Sequence, residues 1–98
     1  MRKKVLLSGQ GKVQSALNVQ RVAIDAIDGK IMKLLLQRFQ CVKRVGKIKR
    51  VAELPIVNKQ RENEIIRAKL RQSKMNPKFV RSLYRLIFQE AYRLQKSR

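Results

Sequence analysis

The sequence predicts an all-α protein with three helices per chain: one long, one short and one of medium length. Apolar residues recur at helical spacing through most of the 98 residues, and no stretch alternates as a β-strand does. Only four glycines and two prolines interrupt the pattern. With 44% apolar and 32% charged residues, the composition is typical of a single folded domain. We expect residues 14–98 to form that domain and residues 1–13 to form a flexible basic tail.

The long helix is predicted from about Gln14 to Ala52. It contains no proline, and Pro55 ends it because a residue that precedes proline avoids the helical conformation. Its apolar face is expected to comprise Ile24, Ile27, Ile31, Leu34, Leu35, Val42, Val45 and Ile48. The second helix is predicted from Gln60 to Gln72 with Asn58 as its N-cap. The third starts at Asn76-Pro77, a cap residue followed by a first-turn proline, and continues to the C-terminus.

The length of the first helix predicts an oligomer. A helix of 35 to 40 residues is roughly 50 to 60 Å long, whereas each of the other two reaches roughly 20 to 30 Å. Two short helices cannot cover the apolar stripe of the long one. A long helix with an uncovered stripe commonly pairs with a second copy. The sequence therefore predicts an intertwined homodimer with the two long helices at its centre.

Composition restricts the chemistry and the location. The chain has no histidine, and its one cysteine, Cys41, lies in an apolar helical pattern and is expected to be a core residue. We therefore expect no metal and no cofactor, and catalysis, if present, by positioning and electrostatics. The N-terminal residues start like a signal peptide, but Gly9 and Gly11 interrupt a short apolar stretch, so we expect a cytoplasmic protein without a membrane span.

A net charge of +19 indicates an anionic partner. Written as a heptad, the long helix places Arg21, Arg38 and Lys49 in rows that face the core. Buried cations are costly unless they are paired, so this stripe favours a pocket for a small anion with more than one carboxylate. Two alternatives stay open: Arg21 and Lys49 near the helix ends can extend outward to solvent, or Asp28 can pair with a cation.

Two further features can join such a pocket. Arg61 and Glu62 open the second helix beside its apolar face, although Glu62 also suits an exposed first turn, where the helix dipole favours an acid. Gln95 lies one turn beyond Ala91 and can share its inward face. The alternative for Gln95 is a frayed, solvated end of the last helix.

Several pieces of the chain, in order, resemble the all-helical chorismate mutases. They cover about three quarters of the chain and are Arg21-Val-Ala-Ile-Asp-Ala-Ile-Asp28, Ile31-Met-Lys-Leu-Leu-Leu-Gln-Arg38, Val45-Gly-Lys-Ile-Lys49, Pro55-Ile-Val-Asn58, Arg61-Glu62 and Phe88-Gln-Glu-Ala-Tyr-Arg-Leu-Gln95. No single piece is specific, but their order and spacing across three helices are. The resemblance implies the rearrangement of chorismate to prephenate, which serves phenylalanine and tyrosine biosynthesis.

The resemblance also implies the roles of residues on the long helix and at the end of the last. Arg38 would bind one carboxylate of the substrate, and Arg21 would reach a carboxylate in the pocket of the other subunit. Lys49 would contact a carboxylate and the ether oxygen of the breaking bond. Gln95 would hydrogen-bond the same ether oxygen.

The remaining implied roles fall mainly on the second helix. Arg61 would support the carboxylate end of the pocket, and Glu62 would bind the ring hydroxyl with Asn58 beside it. Ala91 would line the pocket. Family members often carry an acid where Asn58 stands, so the hydroxyl contact would rest more on the backbone and Glu62.

Other functions agree with parts of the sequence. The related isochorismate pyruvate-lyase shares the fold, although the Arg61-Glu62 pair favours the mutase. A basic helical nucleic-acid-binding protein would explain the charge, but no docking motif is present. A helical dimer that has lost catalysis is a third alternative. We expect a small dianionic substrate rather than nucleic acid as the partner.

Overall fold

The computed structural model describes the backbone of residues 2–96 and the side chains of residues 9–96. This part of the chain consists of α1 (Arg2–Val51), α2 (Lys59–Gln72) and α3 (Pro77–Lys96), with no strand. The prediction of an all-α fold with one long, one short and one medium helix is confirmed. The chain divides into two compact units, Met1–Leu36 and Gln37–Arg98, so α1 contributes to both.

The predicted start of the long helix near Gln14 was wrong, since α1 begins at Arg2. Residues that were expected to form an irregular tail are therefore helical. Gly9 and Gly11 lie inside the helix, because a glycine in a helix costs only about 1 kcal/mol and does not block it. The surrounding lysine, arginine, leucine and glutamine residues all favour the helical conformation. Whether the first residues form a flexible tail outside the domain stays a prediction.

The C-terminal end of α1 is closed by a Schellman motif, one residue before the predicted end. The backbone N–H of Leu54 donates to the carbonyl of Lys49 at 2.8 Å, and that of Glu53 donates to the carbonyl of Arg50 at 3.3 Å. Glu53 takes the left-handed conformation, with φ 56°, at the position that usually holds glycine. The chain therefore reverses sharply into the segment that carries Ile56.

Both predicted caps are confirmed. The side chain of Asn58 precedes α2 and accepts the backbone N–H of Arg61 at 3.0 Å. Asn76 precedes α3, and its side chain accepts the backbone N–H of Lys78 at 2.8 Å. Each bond satisfies an N–H that has no partner within its helix. The short link between the two helices, residues 73–76, was also expected.

The core of the second unit is small and belongs to α3. Val80, Ile87, Phe88 and Ala91 are buried on one face of this helix, which packs against α2. Gly46 of α1 is also buried and lies against Gln95. A side chain at position 46 would place its Cβ 3.0 Å from the Cα of Gln95. Glycine at this position therefore allows α1 and α3 to approach closely.

The first unit buries none of its described side chains. Its large apolar residues are exposed within the single chain: Val13, Leu17, Val19, Val22, Ile24, Ile27, Ile31, Met32, Leu34 and Leu36. Only Leu35 is partly covered. Among the described residues, none of the helices combines the length and the hydrophobicity that crossing a lipid bilayer requires.

Candidate active site

A cleft of about 310 Å³ lies within the second unit, where the end of α1 meets α2, α3 and the segment that joins α1 to α2. Its polar side chains are Arg38, Lys49, Asn58, Arg61, Glu62, Tyr92 and Gln95. Its apolar walls are formed by Val42, Val45, Ile56, Ile65, Phe88 and Ala91, with Cys41 beside them. Seven of the eight residues that the sequence singled out therefore line one cleft.

Lys49 is held at the bottom of this cleft by two acceptors. Its Nζ donates to the carbonyl oxygen of Ile56 at 2.6 Å and to Oε1 of Gln95 at 3.0 Å. The side chain is half-buried, which excludes the alternative that Lys49 extends outward to solvent. An ammonium group has three protons, so these two bonds leave one of them for a ligand in the cleft.

Gln95 is buried, with 6% of its surface exposed, so the alternative of a solvated helix end is also excluded. Its backbone carbonyl accepts a hydrogen bond from Nη1 of Arg50 at 2.9 Å. Because Lys49 can only donate, the amide oxygen of Gln95 must face it. The amide NH₂ of Gln95 then remains as a donor for a bound molecule.

Glu62 is the one acidic side chain of the cleft, and only 15% of it is exposed. The alternative of a solvated first turn is therefore wrong. Its Oε2 accepts a hydrogen bond from the hydroxyl of Tyr92. Burial first, and then this hydrogen bond and the carboxylate charge, raise the pKa of Tyr92 to about 12. Lys59 lies on the outer side, with its Nζ 3.6 Å from Oε1 of Glu62.

Asn58 and Arg61 occupy the rim at the start of α2. The side-chain oxygen of Asn58 is already engaged in capping the helix through the backbone N–H of Arg61. The guanidinium of Arg61 is exposed and lies 3.8 Å from the carboxylate of Glu64. Such an exposed ion pair is weak, about 0 to 1 kcal/mol, so Arg61 can exchange this partner for an anion in the cleft.

Arg38 and Ala91 lie on opposite helices around the cleft. Arg38 is half-buried on α1, and Ala91 is buried on α3 with 5% of its surface exposed. Arg21 lies in the first unit, where it is exposed within the single chain. Asp28 forms no ion pair with any residue whose side chain is described, so the alternative of internal pairing is not observed.

Three features of the cleft were not predicted. Tyr92 was overlooked although it lies one helical turn after Phe88, a spacing that places it on the same face. The carbonyl of Ile56 could not be found from residue types, since any residue supplies one. Cys41 was expected in the core, but it is exposed at the cleft with Sγ 3.9 Å from Nη1 of Arg44. Its helical pattern correctly indicated the inward face but not that this face borders an open cleft.

The donors of the cleft are suited to a small anion. Arg38, Lys49 and Arg61 provide positive charge, whereas Glu62 is the only carboxylate among the described residues that line the cleft. Low exposure of Lys49 and Gln95 strengthens electrostatic interactions there relative to water. In the described part of the chain, no three cysteine, aspartate or glutamate side chains lie together as metal ligands would. The fold and the cleft thus define a class: small helical proteins with a cationic cleft between helices.

A family model narrows this class. Residues 20–96 match the model described as chorismate mutase type II, and the chain belongs to this family. The chain is also similar to a bifunctional chorismate mutase/prephenate dehydratase from Aquifex aeolicus (strain VF5), with 46% identity over 54 residues. That alignment covers 55% of this chain and 15% of the relative, so the chain spans a small part of the relative's length. No solved structure matches the chain at a significant level.

Proposed function

We propose that this protein catalyses the rearrangement of chorismate to prephenate, a step of phenylalanine and tyrosine biosynthesis. The observation that carries the proposal is the Lys49–Gln95 pair in a cationic cleft of a chain that belongs to the chorismate mutase type II family. The reaction is unimolecular and pericyclic, so it requires no nucleophile, general base or metal. It requires a flexible dianion held in a chair-like conformation, and charge stabilised as the carbon–oxygen bond breaks.

The cleft has donors for both requirements. Arg38 and Arg61 bind the carboxylates, because a guanidinium can make two parallel hydrogen bonds to one carboxylate. Holding the reacting carbons close in this way lowers the barrier by several kcal/mol, as oriented intramolecular reactions do. Ala91 has a short side chain and leaves space for the ring.

Lys49 and Gln95 bind the ether oxygen of the breaking bond. Each has a donor left after the contacts within the protein are counted, one ammonium proton of Lys49 and the amide NH₂ of Gln95. Negative charge develops on this oxygen in the transition state. A fixed donor at such a position contributes about 3 to 4 kcal/mol of transition-state stabilisation.

The active protein is proposed to be an intertwined homodimer located in the cytoplasm. The exposed apolar residues on the predicted stripe of the first unit, Ile24, Ile27 and Ile31 among them, support the association, since a second copy would remove them from water. In this arrangement the partner subunit's Arg21 completes the cleft as its fourth cation. Arg21 is exposed within its own chain and thus accessible to a second copy.

The test incubates the purified protein with chorismate and, in a parallel assay, with isochorismate, and follows the formation of prephenate and the release of pyruvate. We expect prephenate, and an Arg38→Ala variant should form far less of it. Release of pyruvate from isochorismate without prephenate formation would identify the lyase of the same fold instead. Absence of turnover at micromolar enzyme that is helical by circular dichroism would reject both activities.

A further inference from the structure

Tyr92 contributes a hydroxyl to the cleft that the proposed reaction does not yet use. It lies on α3 next to Ala91 and donates to Oε2 of Glu62 on α2. We propose that Tyr92 is a positioning residue that orients the Glu62 carboxylate toward the ring hydroxyl of the substrate and makes the site selective for that hydroxyl. This inference rests on the proposed function and specifies how its substrate is recognised.

The two oxygens of Glu62 have different surroundings. Oε2 is occupied by the Tyr92 hydroxyl, whereas the neighbour of Oε1 is Lys59, whose Nζ lies 3.6 Å away on a side chain that is 77% exposed. An exposed ion pair of this length fixes a carboxylate only weakly. Tyr92 therefore determines the orientation of the group, and Oε1 remains able to accept a hydrogen bond from a ligand hydroxyl.

Asn58 is less suited than Glu62 to accept a hydrogen bond from the ring hydroxyl of the substrate. Its side-chain oxygen caps α2 through the backbone N–H of Arg61 at 3.0 Å, so one of its two lone pairs is already used and its position is fixed by the cap. Glu62 is the charged acceptor that the cleft offers to a hydroxyl group, and its orientation depends on Tyr92. A misplaced acceptor of this kind loses much of the hydrogen-bond energy, because hydrogen bonds weaken steeply as their angle falls.

The raised pKa of Tyr92 agrees with a hydroxyl that stays protonated and donates a hydrogen bond to Glu62. Burial and Glu62 raise the pKa of Tyr92 to about 12, so its hydroxyl keeps its proton at neutral pH. The charged groups that face the same cleft are Arg38 and Lys49 on α1 and Arg61 and Glu62 on α2. Glu62 alone among them is negative and favours the protonated tyrosine.

The first experiment compares wild type and Tyr92→Phe on chorismate and on an analogue that lacks the ring hydroxyl. On chorismate, Tyr92→Phe should lower kcat/KM about ten-fold or more, the value of a hydrogen bond to a charged group. On the analogue, the variant should differ from wild type by less than about two-fold, since no hydroxyl needs to be oriented. Tyr84→Phe, which removes the other tyrosine hydroxyl, should leave both values unchanged.

Equal losses on both substrates would overturn the proposal, because they would indicate a general structural effect of Tyr92. So would an unchanged kcat/KM of Tyr92→Phe on chorismate. Circular dichroism of each variant excludes loss of folding as the cause.

A second readout does not depend on catalysis. In a Tyr84→Phe background, Tyr92 is the only tyrosine, and its ultraviolet absorbance reports its ionisation alone. The pKa should be about 12 and should fall after Glu62→Gln, which removes the charge that faces the hydroxyl. An identical titration with and without Glu62 would overturn the contact. A shifted titration in a protein without turnover would instead keep the contact and reject the proposed function.

Discussion

The two parts of α1 both carry apolar residues at helical spacing but differ in what covers them. In residues 9–36 every described side chain except Leu35 is exposed, and the large apolar residues have no cover within the chain. In residues 37–51 the same helix contributes Arg38, Val42, Val45 and Lys49 to a cleft and buries Gly46 against α3. The difference shows that the periodic pattern alone does not make a site. The site forms where α2 and α3 supply the opposite wall.

Two of the four glycines of α1, one in each part of the helix, show the same contrast at single positions. A Cβ at Gly29 would meet nothing within 4 Å, whereas one at Gly46 would meet Gln95 on three atoms at 3.0 to 3.3 Å. Gly29 therefore lowers the stability of the helix without serving any close contact within the described part of the chain. Gly46 is needed for packing, since it allows Gln95, which accepts a hydrogen bond from Lys49, to lie close to α1.

The largest effect is expected from Lys49 in the covered part. Lys49→Ala should lower kcat by about 100- to 1000-fold, because it removes a donor to the ether oxygen and leaves Gln95 unoriented. The matched control is Lys47→Ala, two residues away on the exposed side of the helix. Steady-state kinetics on chorismate measures both variants. A loss of similar size in Lys47→Ala would show that net charge, rather than the position of the ammonium group, determines the rate.

The next largest effect is expected from Ile31 in the uncovered part. Ile31 is 47% exposed within the chain, and the dimer proposal places it between two copies of α1. Burial of an isoleucine contributes about 1.5–3 kcal/mol, and a two-fold interface contains it twice. Ile31→Lys should weaken association by at least about 100-fold, as measured by sedimentation equilibrium.

Met32→Lys is the control for that measurement. Met32 is 66% exposed but lies one position off the apolar stripe, so the substitution should leave association nearly unchanged. A monomeric wild-type protein, or equal effects of the two substitutions, would contradict the proposal that the apolar stripe of the first unit forms the dimer interface.

The smallest effect concerns stability at the two glycines. Gly46→Ala should destabilise the protein by about 1–2 kcal/mol, since crowding against Gln95 outweighs the better helix propensity of alanine. Gly29→Ala should stabilise it by about 0.5–1 kcal/mol, because alanine gains helix propensity without a clash. Urea unfolding followed by circular dichroism gives both values. The same sign of change at both positions would show that the close approach at Gly46 is unimportant.

Much of the fold was predictable from local sequence. Helical spacing, Pro55 and the caps Asn58 and Asn76 placed three helices and most of their ends, because these signals act within a few residues. The start at Arg2 was missed, and Gly9 and Gly11 lie inside the helix because glycine weakens a helix without ending it. The pairing of two chains depends on contacts that a single chain does not contain, and it stays a prediction.

The site was predictable to a smaller extent. Heptad rows placed Arg38 and Lys49 on the inward face, and the spacing of Gln95 from Ala91 allowed it to share that face. The Lys49–Ile56 contact depends on how the Schellman turn reverses the chain after α1, which residue types do not specify. The Tyr92–Glu62 contact likewise depends on how α3 packs against α2.

The most direct test of the account combines two inactive variants, Arg21→Ala and Arg38→Ala. If the exposed part of one chain supplies Arg21 to the cleft of the other, a mixed dimer contains one site with both arginines intact. Half of the dimers are mixed after equal amounts are unfolded and refolded together, so about a quarter of the wild-type activity should return. Conversion of chorismate to prephenate at that level would support the mutase activity and the shared site together. Recovery of no activity, in samples that are helical and dimeric, would contradict the account.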